Sequence, residues 1–161
     1  MSKVRLWLIP FGWMALIYFA SSQPYEQQNI KPLLSDRLDL SYVEPLIDHV
    51  KFTYNQSEVS VHALGVEGFV EFFVRKGAHL GVFFMLFFFV YYALTKTTRF
   101  QFNTRLFVSF IWAVTYAGID EWHQSFTVNR TPYIGDVIID AFGALLALAI
   151  VMVAHHYKKR R

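Results

Sequence analysis

Three stretches without a charged residue constrain the fold of this chain more than any other feature. They cover residues 6–25, 77–95 and 141–157, and they are twenty, nineteen and seventeen residues long. A helix needs about 20 mainly apolar residues to cross the hydrocarbon core of a bilayer. The chain of 161 residues is 55% hydrophobic and 17% charged, whereas soluble domains are about 45–50% apolar and about 25% charged. We therefore predict a membrane protein.

A fourth apolar run, which ends before Asp120, is only fourteen residues long. It reaches the length of a span only if the helix continues through Asp120 and Glu121 to Gln124. The last helix gains length in the same way if it begins near Asp136, which also brings Asp140 into the span. The predicted fold is an all-α, four-helix transmembrane bundle with approximate spans at residues 6–23, 72–95, 106–124 and 136–156.

The chain is predicted to form a single membrane domain over residues 1–161, with an outer loop of about 50 residues at 24–71 between helices 1 and 2. Within this loop, Phe52-Thr53-Tyr54 and Val59-Ser60-Val61 flank Asn55-Gln56, which predicts a β-hairpin. Residues 66–74 either lie on the membrane surface or extend the second helix outward. The first apolar run could instead be a cleaved signal peptide, but it is longer than a usual signal-peptide core.

The distribution of charge predicts the orientation. The side that holds both termini and the 96–105 loop carries basic residues and no acid, whereas all twelve Asp and Glu belong to the other side. The positive-inside rule therefore places both termini in the cytoplasm. The basic run at residues 158–161 is interpreted as an anchor at anionic lipid head groups, so no nucleic-acid partner is predicted. The absence of cysteine excludes a disulfide framework.

The unusual polar residues occupy three helix ends that this topology places at the outer face. A charge near the membrane interior is unfavourable by about 2.5–3.5 kcal/mol on insertion scales, so these residues should face one another inside the bundle. Gly143 continues the helix face of Asp136 and Asp140, which predicts close helix packing. We interpret the cluster as a site; an ion-pair network that only fixes the helix register is the alternative. The predicted ligand-binding residues are Arg75, Lys76, His79, Asp120, Glu121, Gln124, Arg130, Asp136 and Asp140.

Two chemistries are open to this cluster. The cations suit a phosphate or a carboxylate, and the acids suit a divalent cation or acid–base catalysis. The spacing does not match the His-Glu-x-x-His zinc pattern, and there is no Gly-x-Ser-x-Gly nucleophile motif. The catalytic candidates are His79, Asp120 and Glu121, and the metal candidates are Asp120, Glu121 and Asp136.

The motifs at these helix ends resemble the VanZ-like family. They are Arg75-Lys76-Gly77-Ala78-His79, Asp120-Glu121-Trp122-His123-Gln124, Arg130, and Asp136-Val137-Ile138-Ile139-Asp140-Ala141-Phe142-Gly143. Their order and spacing match across roughly residues 5–156. The resemblance implies a four-helix membrane protein linked to resistance against glycopeptide antibiotics, particularly teicoplanin, and it supplies no reaction. The family often has Tyr in place of Phe83 and Asn in place of Asp140, so a catalytic or metal role for Asp140 is less supported.

The leading hypothesis is a lipid-binding protein of the bacterial cytoplasmic membrane with its polar site on the outer side. Its partners would be anionic membrane lipids or lipid-linked cell-wall precursors, and its oligomeric state is left open. Arg75, Lys76 and Arg130 would bind the head group, and Asp120, Glu121 and Asp136 would hold those cations. The alternative is an intramembrane enzyme, metal-dependent or not, that acts on a lipid head group.

Overall fold

The chain folds mainly into helices. The computed structural model describes residues 3–40, 42–127 and 130–160, apart from the side chain of Tyr25. A 3-10 turn at Lys3–Trp7 leads into the first helix, and a second such turn follows it at Tyr25–Gln28. The other elements are, in chain order, α1 (Leu8–Ser21), α2 (Lys31–Arg37), α3 (Glu44–Ile47), β1 (Lys51–Tyr54), β2 (Ser57–Ser60), α4 (Val61–Thr97), α5 (Phe102–Gln124) and α6 (Ile134–Arg160).

Three described helical segments are long and apolar enough to cross a membrane, namely Lys3–Ser21, Val61–Thr97 and Ile134–Arg160. They contain the three charge-free stretches almost entirely. Helix α5 has 23 residues, but Asp120 and Glu121 lie in its last turns and Arg105 lies near its start. Because these charges shorten its apolar run, α5 is not among the candidate membrane-spanning helices. A mostly helical fold with three candidate membrane-spanning helices is therefore confirmed, while the four-helix transmembrane bundle and its topology stay predictions.

Helix α4 supplies the large side chains of the core. Its buried residues recur at intervals of three and four, which places them on one helix face. The parts of α5 and α6 that pack into the same core contribute small side chains, so the helices can approach closely. The core residues that are fully shielded are Phe83, Leu86, Phe87, Val90 and Ala93 of α4, Ala113 and Ala117 of α5, and Ala144 and Ala147 of α6.

The predicted close packing at Gly143 is confirmed. A methyl group built on Gly143 of α6 would collide with the backbone carbonyl group of Leu80 in α4. The neighbouring atom belongs to a helix backbone and not to a flexible side chain, so it cannot rotate away. Glycine is therefore required for α4 and α6 to approach at the level of the polar cluster.

Helix α1 is attached to the other helices by hydrogen bonds from large side chains. The indole N–H of Trp13 in α1 donates to the backbone carbonyl of Val82 in α4, at 2.8 Å. The hydroxyl group of Tyr116 in α5 donates to the backbone carbonyl of Met14 in α1, at 2.6 Å. Because an apolar environment offers no competing water, such bonds hold α1 in one position against α4 and α5.

The predicted hairpin is confirmed, except that its second strand ends at Ser60 and Val61 begins α4. Strands β1 and β2 pair antiparallel, and Tyr54 lies opposite Ser57. The two turn residues, Asn55 and Gln56, have φ angles of 47° and 61°, in the left-handed region that two-residue hairpin turns use. Side chains of the hairpin pack on α4, where the ring of Phe52 lies 5.8 Å from that of Phe72. The hairpin therefore packs on the N-terminal part of α4.

Residues 66–74 belong to α4 and lengthen it at its N-terminal end, in agreement with the second of the two predicted possibilities. The Ser60 side chain caps α4 by accepting a hydrogen bond from the backbone N–H of Ala63, at 3.1 Å. The helix kinks at Gly65, whose φ of 72° favours glycine. The extension brings Glu71 to within one helical turn of Arg75.

Candidate functional site

The described structure divides the predicted polar cluster into two groups. One group surrounds Arg75 and Arg130 and faces a cavity next to α1. The other group surrounds Lys76 and Asp136, beneath the hairpin. Arg75 and Lys76 are neighbours in the chain, but successive helix residues point about 100° apart, so each belongs to a different group.

The arginine group contains two cations in very different surroundings. The Arg75 guanidinium group forms an ion pair with Glu71 at 3.0 Å, four residues earlier on α4. The Arg130 guanidinium group instead donates to two neutral amide oxygens, those of Gln124 at 2.8 Å and of Gln28. Its Nε atom is buried and has no hydrogen-bond partner among the described residues. Burial and the nearby Arg75 guanidinium lower the pKa of Arg130, although an arginine stays charged at neutral pH.

Asp120 is connected to the arginine group through Gln124. It is 3% exposed. Its Oδ2 atom accepts hydrogen bonds from the Ser21 hydroxyl group and the Gln124 amide, both at 2.9 Å. Its Oδ1 atom is buried without a hydrogen-bond partner among the described residues. Asp120 therefore reaches Arg130 only through Gln124, and the hypothesis that it holds a cation directly is replaced by an indirect contact.

The lysine group ties the hairpin to α4 and α6. The Lys76 ammonium group forms an ion pair with Asp136, and the Tyr54 hydroxyl group donates to the same carboxylate oxygen. The ammonium group also lies 4.6 Å from the centre of the Tyr54 ring, within the range of a cation–π contact. Of the three acids predicted to hold cations, only Asp136 has a described ion pair. Glu121 instead accepts a hydrogen bond from the backbone N–H of Tyr133.

The Tyr54 contact leads to a testable prediction. Burial and the hydrogen bond to Asp136 raise the pKa of Tyr54, so its hydroxyl group stays protonated and can donate at neutral pH. We expect Tyr54→Phe to remove a bond worth about 1.5 kcal/mol, as is typical for hydrogen bonds to charged groups. Amide exchange in residues 51–60 should then become about tenfold faster. Tyr42→Phe, at a tyrosine that is 80% exposed, is the matched control; equal exchange in both variants would contradict the contact.

His79 and Asp140 lie between α4 and α6, next to both groups. The Nδ1 atom of His79 is 3.4 Å from the Oδ1 atom of Asp140. The carboxylate is 2% exposed. The two atoms are within ion-pair distance but are not aligned as a hydrogen bond, and neither has another partner among the described residues.

A cavity of about 280 Å³ lies between α1, α4 and the end of α5. Arg75, Arg130, His79 and Asp120 contribute its polar wall, together with Ser21, Gln28 and Glu71. Apolar side chains line the rest, and Val82 lies seven residues beyond Arg75, about 10 Å deeper along the helix. The apolar lining residues are Leu16, Ile17, Ala20, Ile30, Val74, Ala78, Val82 and Phe83. The cavity therefore has a charged end and an apolar end, and Lys76 does not line it.

The acids and histidines do not gather into a metal-binding set. Within the described ranges, no three His, Asp or Glu side chains come together in a group that could hold a metal ion. The metal candidates Asp120, Glu121 and Asp136 are each engaged by different donors, from Gln124, Tyr133 and Lys76 respectively. The arrangement offers cations and hydrogen-bond donors to a ligand more readily than it offers a ring of oxygens.

Four residues that contribute to the two groups were not among the sequence candidates, namely Ser21, Gln28, Tyr54 and Glu71. Glu71 and Arg75 are four apart, and this spacing of opposite charges on a helix is a signal that could have identified the pair. Ser21, Gln28 and Tyr54 carry no such signal, because their segments approach the cluster only through the tertiary fold. Their contacts with Asp120, Arg130 and Asp136 span about 80 to 100 residues.

The comparisons with known proteins agree with the sequence motifs. The family model described as VanZ/LLP1 matches residues 6–155, which is nearly the whole chain. No curated protein and no solved structure matches the chain.

Proposed function

The chain belongs to the VanZ/LLP1 family, and on that premise we propose that its cavity binds an anionic envelope lipid or a lipid-linked cell-wall intermediate. Family membership and the apolar helices fit a membrane protein linked to glycopeptide resistance. The bound lipid would lie in the outer leaflet of the bacterial cytoplasmic membrane. Through it, the protein would influence susceptibility to teicoplanin.

The cavity is the observation that carries this proposal. Its charged end presents the two guanidinium groups of Arg75 and Arg130, and guanidinium groups bind phosphate and carboxylate oxygens in a bidentate manner. Its apolar end continues for about two helical turns along α4. A volume of about 280 Å³ is at the lower limit for a ligand pocket. It would accommodate a head group and the first part of a chain, while the rest of the chain lies in the bilayer.

Arg130 is suited to a ligand because neutral groups hold it. Gln28 and Gln124 orient its guanidinium plane without cancelling its charge. Arg130 lines the cavity, and its buried Nε atom has no hydrogen-bond partner among the described residues. A phosphate oxygen there would satisfy a buried donor, whose desolvation costs about 1–3 kcal/mol when it is left unpaired. The proposal keeps two of the three predicted head-group cations, Arg75 and Arg130, because Lys76 does not line the cavity.

The proposed topology uses α5 as the fourth span. The outer end of α5 could be polar because α1 and residues 130–133 shield it, and both termini would lie in the cytoplasm with the basic residues. The charged end of the cavity would then open at the level of the outer head groups. Asp120, which faces Ser21 and Gln124, would be stabilised inside the protein and kept away from lipid.

Lipid extraction from the purified protein tests the head-group assignment. The wild-type protein should retain an anionic lipid through detergent exchange, detected by native mass spectrometry. Arg130→Ala and Arg75→Ala should each reduce the retained amount at least about tenfold, since charge-assisted hydrogen bonds are worth about 1.5–3 kcal/mol each. Arg99→Ala, at an exposed arginine in the 98–101 connection, is the control that should retain it. A wild-type lipid profile in both cavity variants would show the assignment to be wrong.

A further inference from the structure

We propose that the cavity is also a catalytic centre, in which His79 activates water to hydrolyse the terminal phosphate of the bound lipid. This inference rests on the proposed lipid site and adds a reaction to it. The substrate class is a lipid that ends in a phosphate, either as a monoester or as a diphosphate. Asp140 is the positioning residue that orients the histidine.

His79 is placed between the cavity and a buried carboxylate. Its ring lines the cavity together with Arg75 and Arg130. Its Nδ1 atom lies 3.4 Å from the Oδ1 atom of Asp140, which leaves Nε2 as the ring nitrogen on the opposite side from that carboxylate. A neutral imidazole with Nδ1–H directed at a carboxylate presents Nε2 as a base. Hydrogen bonds between catalytic groups are often long or poorly aligned before the substrate binds and tighten in its presence, so an unaligned contact of 3.4 Å is compatible with this role.

Asp140 can act only through His79. It belongs to α6, it is 2% exposed, and it does not line the cavity. A carboxylate in this position fixes the tautomer and the ring orientation of the histidine and stabilises its protonated form. The other catalytic candidates are less suitable. Glu121 does not line the cavity and is engaged by Tyr133, and Asp120 is held by Ser21 and Gln124.

The proposed step consumes one water molecule. The water oxygen forms a bond to phosphorus, the bond between phosphorus and the leaving oxygen of the lipid breaks, and its electron pair stays on that oxygen. The water proton passes to Nε2 of His79 and then to the leaving oxygen. Arg75 and Arg130 stabilise the charge that develops on the phosphate oxygens. The products are inorganic phosphate and either the lipid alcohol, from a monoester, or the lipid monophosphate, from a diphosphate, and no oxidant or reductant takes part.

Phosphate release from vesicles tests this inference. The full-length protein is reconstituted in phosphatidylcholine vesicles that contain either a polyprenyl diphosphate or phosphatidic acid, and inorganic phosphate is measured. We expect release from at least one of the two lipids, which identifies the leaving group. His79→Gln should lower the rate at least about 100-fold, the usual minimum for loss of a general base. His62→Gln, at an exposed histidine in the first turn of α4, should leave the rate unchanged.

The kinetic constants separate the positioning role of Asp140 from the binding role of Arg130. Asp140→Asn should lower kcat and leave KM nearly unchanged, whereas Arg130→Ala should raise KM and also lower kcat, because Arg130 both binds the phosphate and stabilises its developing charge. If His79→Gln does not fold, the different effects of Asp140→Asn and Arg130→Ala on kcat and KM test the catalytic role instead. Lipid that is retained in an arginine-dependent manner but not hydrolysed would overturn the catalytic inference and leave the proposed binding site standing. If neither lipid is bound or hydrolysed, both the binding proposal and the catalytic proposal are wrong. Full activity in His79→Gln would show that His79 is not the base.

Discussion

Replacing Gly143 with alanine is expected to destabilise the protein by about 1–3 kcal/mol, the usual cost of inserting a methyl group into a closely packed core. The reason is geometric. The new methyl group would collide with the backbone carbonyl of Leu80, so α4 and α6 would have to separate. That separation would also move His79 away from Asp140. Thermal unfolding in detergent should show a midpoint several degrees below that of the wild-type protein.

Gly81→Ala is the matched control for this prediction. Gly81 lies one residue after Leu80 on α4, and a methyl group built there would meet no atom within 4 Å. Alanine is also the better helix former by about 1 kcal/mol. We therefore expect the control to be unchanged or slightly more stable. Equal midpoints for the two variants would mean that α4 and α6 are not in close contact at Gly143.

Breaking the ion pair of Lys76 and Asp136 should have the second large effect. Both side chains are 16% exposed, and the removal of one partner leaves the other charge without compensation. Asp136→Ala or Lys76→Ala should each cost about 3 kcal/mol, as is typical when one partner of a buried pair is lost. Asp136→Ala should cost more than Lys76→Ala, because it also removes the acceptor of the Tyr54 hydroxyl group.

The double variant Lys76→Met, Asp136→Leu distinguishes an ion pair from two independent contacts. Apolar side chains of similar volume often replace a buried pair without loss of stability. We therefore expect the double variant to be more stable than either alanine variant when chemical denaturation is followed in detergent. If its loss of stability equals the sum of the two alanine effects, the residues are not coupled. Since neither residue lines the cavity, the double variant should retain bound lipid.

Much of the fold could be predicted from hydropathy and turn chemistry. Charge-free runs identified α1, α4 and α6, because each must be buried in lipid or protein. Two short segments that flank Asn55-Gln56 predicted the hairpin. In the structure both turn residues adopt a positive φ. The rule that intramembrane charges must face one another brought three distant helix ends to one place. The contacts of Lys76 with Asp136 and of His79 with Asp140 agree with that expectation.

The cavity could not be predicted from the sequence. It depends on how α1 leans against α4, which is set by hydrogen bonds of Trp13 and Tyr116 to backbone carbonyls. It also depends on Gln28, which follows α1 in a segment without periodicity and crosses to Arg130. The same limit explains the role of Lys76. Lys76 follows Arg75 in the sequence, and both were predicted to bind the head group. The tertiary fold shows that Lys76 instead pairs with Asp136 and does not line the cavity.

A crystal structure of the protein grown from a lipid mesophase that contains an anionic phospholipid would test the central claim most directly. We predict density for a phosphate group within hydrogen-bond distance of Arg75 and Arg130, with a lipid chain that extends past Val74 and Val82. Crystals of Arg130→Ala grown in the same mesophase should lack that phosphate density. A wild-type cavity that is occupied only by protein side chains or by an uncharged lipid, with the phospholipid head groups elsewhere, would contradict the account.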